Sequence, residues 1–227
     1  MSTIERINDS VLGPWERPAL AWLVRRVPRA VVPDHLTACG VVGACLAATG
    51  FVLSTRGLFW LWLSSAGLLI NWLGDSLDGN LARLRHIERP RYGFFVDHTC
   101  DLFAQSLMFV TLGLSPLAHF GTACLGLIVF LMAFVYTLIT AQTRATMRIT
   151  YAYFGPTEIR ALLLTGNLLT LACGVLDLRR WLPLPGQLPI TLHDSFLALL
   201  AASGVGVVVL LAVRDARVLN VEDPPRR

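Results

Sequence analysis

Residues 75–101 read DSLDGNLARLRHIERPRYGFFVDHTCD and place four aspartates where two long apolar segments meet. In a helix, Asp75 and Asp78 share one face at i,i+3, and Asp97 and Asp101 share another at i,i+4. Ionisable side chains at membrane depth are costly and usually mark a functional site. An antiparallel hairpin of the two helices would bring the four carboxylates into one small volume. Such crowding requires a counterion, and a divalent metal is the natural one.

The composition on either side of this stretch is that of a membrane protein. Hydrophobic residues make up 55% of the chain, charged residues only 15%, and the mean hydropathy is +0.61. These values predict an all-α integral membrane protein. Apolar runs predict one bundle of six transmembrane helices, at about 34–55, 58–84, 92–114, 119–147, 158–178 and 193–215. We therefore expect a single membrane domain over residues 34–216.

The regions outside this domain are rich in arginine. Residues 11–32 combine Trp15 and Trp22 with several arginines and with apolar residues near helical spacing. This pattern predicts an amphipathic helix that lies on the membrane surface within a cytoplasmic segment 1–33. A segment that only anchors the chain through its positive charge would show almost the same sequence pattern. Residues 217–227 are expected to form a cytoplasmic tail.

The positions of the basic residues predict the orientation of the chain. All 19 are arginines, and all except Arg56, Arg179 and Arg180 fall on one side of the predicted helices. The excess of positive charge marks the cytoplasmic side. Both termini and the aspartates are then expected on the cytoplasmic face of a bacterial or archaeal cytoplasmic membrane.

The residues around the aspartates carry a resemblance to a known family. The order Asp75, Asp78, Gly79, Ala82, Arg83, Gly93, Asp97, Asp101 resembles the signature D-x2-D-G-x2-A-R, about eight residues, then G-x3-D-x3-D, of the CDP-alcohol phosphotransferases. One departure is the nine residues, 84–92, between Arg83 and Gly93. The resemblance implies metal-dependent transfer of a substituted phosphate from a CDP-linked donor to an alcohol hydroxyl, with release of CMP.

The same resemblance implies roles for individual residues. Asp75, Asp78, Asp97 and Asp101 would be metal ligands, and Asp101 would be the general base, a ligand or both. Arg83 would bind a nucleotide phosphate, and Gly79 and Ala82 would line the nucleotide. Mg²⁺, as two ions, is the expected cofactor, and Mn²⁺ is an alternative.

A second candidate base lies between the last two aspartates. The string Asp97-His98-Thr99-Cys100-Asp101 resembles the Asp-His-Gly-Cys-Asp string of choline and ethanolamine phosphotransferases. An imidazole titrates near neutral pH and suits proton abstraction from a hydroxyl. The alternative for His98 is a membrane-interface histidine bonded to a neighbouring residue. The sequence leaves Asp101 and His98 open as the base.

Thr37 and three arginines are further candidates for substrate binding. Thr37 lies in a segment that resembles the family's nucleotide-proximal motif, but Asp34 replaces the usual asparagine, and packing explains Thr37 equally well. Arg144 and Arg148 are i,i+4 at the end of the fourth segment, with Arg160 at the start of the fifth. They would form an acceptor or phosphate pocket, or they would simply follow the positive-inside rule.

Partners and rival functions follow from the same residues. We expect a CDP-linked lipid donor, with CDP-diacylglycerol preferred, an alcohol acceptor, surrounding membrane lipids and a homodimer, but no nucleic acid. The reverse arrangement, a CDP-linked head group transferred to diacylglycerol, stays open. A cation or proton transporter is the rival from another class, because intramembrane carboxylates also serve ion relays. It leaves Gly79, Ala82 and Arg83 unexplained.

Overall fold

The computed structural model describes residues 5–7, 10–144, 146–148, 155–178 and 190–224. Within these residues the fold is helical, as predicted. The helices are α1 (Gly13–Val24), α2 (Pro33–Leu53), α3 (Leu61–Arg85), α4 (Pro90–Gly113), α5 (Phe120–Arg144), α6 (Pro156–Cys173) and α7 (Leu192–Glu222). Two short 3-10 turns, Ser54–Arg56 and Leu58–Trp60, join α2 to α3. A parallel pair of three-residue strands, β1 (Glu5–Ile7) and β2 (Thr146–Arg148), was not predicted.

The six long helices α2–α7 follow the six predicted apolar segments, with one clear difference. Helix α7 continues to Glu222, so the first part of the predicted tail is helical, while 225–227 lie outside the described residues. Three stretches in the described chain are long and apolar enough to cross a membrane: Pro33–Arg56, Phe120–Arg144 and Leu192–Glu222. The count of six spans stays a prediction.

Helices α2 and α3 pack backbone against backbone because glycines line their contact. An added Cβ on Gly43, Gly67 or Gly74 would lie within 2.4 Å of a backbone nitrogen of the facing helix. Glycine permits this approach because it has no side chain to separate the helices. Asn71 strengthens the contact by donating its Nδ2 to the Gly40 carbonyl at 2.9 Å. The contact fixes the polar end of α3 against the first turns of α2.

Helix α1 packs on α3 through a small apolar cluster. Leu20 and Val24 are buried against Leu77 and Leu81. On the other side of α1, the indole rings of Trp15 and Trp22 are 71% and 55% exposed. A helix therefore exists within the predicted N-terminal segment, but it ends at Val24. Its position on a membrane surface stays a prediction.

The remaining helices complete the frame of the site. Helix α4 packs on α2 and α5, and α6 packs on α3. Helix α6 begins cleanly at Gly155-Pro156 because proline suits the first helical turn. The Glu158 carboxylate also accepts a hydrogen bond from the Gly155 amide at 2.8 Å. This cap fixes the first turns of α6 beside the polar ends of α3 and α4.

Candidate active site

Three of the four motif aspartates meet between α3 and α4. Asp75 of α3 and Asp97 and Asp101 of α4 each offer a carboxylate oxygen, and these oxygens lie within 4.8 Å of one another. The helical spacing explains part of the convergence, because Asp97 and Asp101 lie one turn apart on one face of α4. Helices α3 and α4 both pack on α2, which brings their polar ends together. We call Asp75, Asp97 and Asp101 the carboxylate group.

Asp78 lies one turn further along α3 and has its own hydrogen bonds. Its Oδ2 accepts the Thr37 hydroxyl at 2.5 Å, and its Oδ1 accepts the Gly79 amide at 2.5 Å. The side chain is buried. Thr37 therefore orients an aspartate of the motif, and the same residue lines the cavity described next.

A cavity of about 830 Å³ opens over the carboxylate group. All four motif aspartates line it, together with Gly79, Ala82 and Arg83. An added Cβ on Gly79 would meet only the Arg83 guanidinium, at 3.4 Å, so this face of α3 is open to a ligand. Arg83 is exposed and donates to Asn80 Oδ1 at 3.1 Å. The structure thus brings together the residues that the resemblance assigns to metal and nucleotide.

Arg160 of α6 reaches the carboxylate group from the opposite wall. Its Nη1 lies 2.7 Å from Asp75 Oδ2, and its Nη2 lies 3.5 Å from Asp101 Oδ1. The guanidinium is buried, with a side chain only 4% exposed. Arg160 was a candidate, with Arg144 and Arg148, for an acceptor or phosphate pocket, but its pairing with Asp75 and Asp101 was not predicted. The signal was present as a basic residue inside an apolar segment, five residues after the Gly155-Pro156 helix start.

Helix α1 supplies a further wall of the cavity. Glu16 of α1 lines it, and its Oε1 accepts Trp72 Nε1 at 2.8 Å and the Thr157 hydroxyl at 3.1 Å. These bonds tie α1 to α3 and α6 beside Asp75 and Arg160. The contribution of α1 to the cavity was not predicted, since nothing in the local sequence shows where a short N-terminal helix docks.

An exposed ion pair lies at the rim of the cavity. Arg89 Nη2 bonds both oxygens of Asp34 at 2.6 Å, and its guanidinium stacks 3.8 Å from the centre of the Tyr92 ring. The bond to Asp34 raises the pKa of Arg89. The pair joins the start of α2 to the link between α3 and α4.

Two other predicted site residues, His98 and Arg144, lie outside the cavity lining that the described residues form, but His98 Nδ1 lies 3.5 Å from Asp97 Oδ2 of the carboxylate group. His98 Nδ1 bonds the Phe94 carbonyl at 2.9 Å, and its ring stacks on Phe94. Arg144 forms an ion pair with Asp215 of α7 at 2.5 Å. The side chain of Arg148 lies outside the described part of the chain.

The carboxylate group fits a divalent cation. Its donors are oxygens, which Mg²⁺ and Mn²⁺ prefer, and they converge from two helices on one point. The adjoining cavity leaves room for a ligand to complete the coordination. Mg²⁺ in such sites is held by a few carboxylates and by substrate phosphates. The prediction of a metal site is thus compatible with the residues present, while the identity and number of ions stay predictions.

Comparison with known proteins extends the resemblance over most of the chain. The model of the family described as CDP-alcohol phosphatidyltransferase matches residues 30–192. Cholinephosphotransferase 1 from Gallus gallus is 34% identical over 119 residues, which cover 50% of this chain and 35% of that protein. Phosphatidylinositol phosphate synthase from Cutibacterium acnes is 33% identical over 117 residues, covering 51% and 53%. The chain thus spans about a third to a half of the length of these curated relatives.

A solved structure shares the fold. The crystal structure of Mycobacterium tuberculosis phosphatidylinositol phosphate synthase (PgsA1) with CDP-DAG bound superposes with a TM-score of 0.58 at 20% identity. The match covers 85% of this chain and 91% of that one. The apo form of the same protein gives a TM-score of 0.56.

Proposed function

The chain belongs to the CDP-alcohol phosphatidyltransferase family, and on that premise we propose that it transfers a substituted phosphate from a CDP-linked donor to an alcohol hydroxyl, releasing CMP. One observation carries this proposal. The carboxylate group and the Gly79, Ala82 and Arg83 face line one cavity of about 830 Å³, large enough for a nucleotide and part of a second substrate.

The residues of the chain divide into those that hold the donor and those that activate the acceptor. The carboxylate group and Asp78 would hold Mg²⁺, which supplies charge neutralisation at the pyrophosphate when it is bound. Arg83 would bind a donor phosphate, and the open face at Gly79 and Ala82 would let the nucleotide lie against α3. In phosphoryl-type transfer such positioning and charge stabilisation provide most of the rate acceleration.

Asp101 is the proposed general base. Its carboxylate lines the cavity and lies within the carboxylate group, whereas His98 lies outside the described lining. A base must be within hydrogen-bond reach of the hydroxyl that it deprotonates. Asp101 would take the acceptor proton as the hydroxyl oxygen attacks the donor phosphorus and the bond to CMP breaks. The string around His98 stays a feature shared with choline and ethanolamine phosphotransferases.

CDP-diacylglycerol is the proposed donor, with a small polar alcohol as the acceptor. The fold is shared with a protein whose structure holds CDP-DAG, which supports this choice. The alternative is transfer of a CDP-linked head group to diacylglycerol, and the similarity to cholinephosphotransferase 1 favours it. We place the cavity at the cytoplasmic face of the membrane, in a homodimer of six-span subunits.

A radiolabelled donor assay tests the proposal. The purified protein in lipid nanodiscs is supplied with CDP-diacylglycerol or CDP-choline, a panel of alcohols or diacylglycerol, and Mg²⁺, and CMP release is measured. We expect release with one donor class, loss with EDTA, and at least ~10²-fold loss in Asp78→Asn. Asp223→Asn, an exposed aspartate beyond α7, serves as the matched control. Absence of metal-dependent CMP release with every donor would refute the proposal.

A further inference from the structure

Arg160 occupies a place in the site where a metal ion would also be attracted. Its guanidinium lies 2.7 Å from Asp75 and 3.5 Å from Asp101, two of the three members of the carboxylate group. The remaining member, Asp97, has a side chain that is 41% exposed and whose Oδ2 lies 3.5 Å from His98 Nδ1. Arg160 therefore already supplies positive charge to the buried side of the group.

The guanidinium is held there without a full set of hydrogen bonds. Within the part of the chain that the structure describes, its buried Nε and Nη2 have no hydrogen-bond partner. A buried donor left unpaired is costly, so the pairing with the carboxylates must outweigh that cost. Arg160 lies near the start of α6. The hydrogen bond from the Gly155 amide to the Glu158 carboxylate caps this end of the helix and so holds the backbone that carries Arg160. Arg160 therefore contributes its positive charge to the carboxylate group, although two of its buried nitrogens form no hydrogen bond within the described residues.

Charge counting shows what this arrangement does to metal binding. Seven carboxylates line the cavity, five from aspartates and two from Glu16 and Glu88, together with four arginines, so its formal net charge is four minus seven, or −3. One divalent cation reduces this net charge to −1. A second divalent cation would reverse it to +1, which is unfavourable in a partly buried site until an anion arrives, whereas removal of Arg160 would let two divalent cations balance the charge. The pyrophosphate of a CDP-linked donor is such an anion.

We propose that Arg160 is a built-in counter-cation of the carboxylate group, so that the ligand-free protein binds one divalent cation and takes a second only together with the CDP-linked nucleotide. The inference rests on the proposed function for the nature of that nucleotide. Arg160 is a positioning residue here, since it acts on the metal site through Asp75 and Asp101.

Counting bound Mn²⁺ tests the proposal without measuring turnover. The purified chain in detergent is titrated with Mn²⁺ while free ion is followed by electron paramagnetic resonance, with and without CDP. We expect one ion per chain without CDP and two with it. Arg160→Gln is expected to bind two ions without CDP, and to bind the first on the order of tenfold more tightly because a competing charge is gone. Arg160→Lys keeps the charge and is expected to bind one.

Arg144→Gln is the matched control, because it removes an arginine–aspartate pair outside the described cavity lining. Its Mn²⁺ count is expected to equal that of the wild-type chain. Two ions per wild-type chain without CDP would overturn the proposal, and so would an Arg160→Gln variant with unchanged count and affinity. If that variant does not fold, the wild-type counts with and without CDP still decide. The number of bound Mn²⁺ ions could rise from one to two on addition of CDP while no donor gives CMP release. That result would refute the proposed transfer reaction and leave the role of Arg160 intact.

Discussion

Replacing Gly74 with alanine is expected to damage the site through the backbone alone. Gly74 lies beside Asp75 on the face of α3 that touches α2. An added Cβ there would lie 2.4 Å from the Gly40 nitrogen and 2.5 Å from the Leu36 carbonyl. Ordinary contact begins at 3.4 Å, so the difference, 3.4 minus 2.4, requires the helices to separate by about 1 Å.

This separation gives the size of the effect. Overpacking of this kind costs roughly 1–3 kcal/mol, which lowers the melting temperature of a chain of this size by roughly 2–12 °C. The displacement reaches Asp75 and the bond between Thr37 and Asp78, both of which depend on the distance between α2 and α3. A 1 Å misplacement of reacting groups can cost ~10²-fold in rate. We therefore expect both lower stability and a turnover reduced by about that factor.

The assay compares melting temperature and CMP release in lipid nanodiscs. Gly206→Ala is the control, because Gly206 lies on an exposed face of α7 with nothing within 4 Å of an added Cβ. It makes the same chemical change in a helix and is expected to lower neither quantity. Wild-type melting and turnover in Gly74→Ala would show that α2 and α3 do not pack as closely as the structure indicates.

Three further predictions concern single side chains. Asp101→Asn is expected to lower CMP release at least ~10²-fold, whereas His98→Ala should retain most of it, because His98 lies outside the described cavity lining; the opposite ranking would make His98 the base. Arg89→Ala breaks the exposed ion pair with Asp34, and exposed ion pairs contribute little to the free energy of unfolding. The melting temperature is therefore expected to stay unchanged, and a clear fall would contradict this prediction. Glu158→Gln places an amide against backbone N–H donors of Leu12 or Gly155, so we expect roughly 1–3 kcal/mol lower stability and faster limited proteolysis before α2. Wild-type proteolysis would show that Glu158 does not hold the N-terminal segment.

The helices were predictable because their signal is local. Apolar length alone located α2–α7 to within a few residues at most ends, and the spacing of Asp97 and Asp101 placed both on one face. The end of α7 was not predicted, since its last turns are polar and carry no apolar signal. The strands β1 and β2 were missed because each has only three residues and they pair across most of the chain.

The polar groups of the candidate site could be predicted from the local sequence, because the four aspartates and the Gly79, Ala82 and Arg83 face lie within 27 residues and follow helical spacing. Which distant groups join them depends on how the helices pack, and the local sequence does not show it. Arg160 and Glu16 come from helices whose local sequence does not specify their neighbours, and they reach the cavity through the packing of α6 and α1 on α3. Packing likewise put His98 of α4 near Phe134 of α5 and Arg144 of α5 against Asp215 of α7. Spacing along the chain fixes which side chains share a face, whereas contact between helices fixes what that face meets.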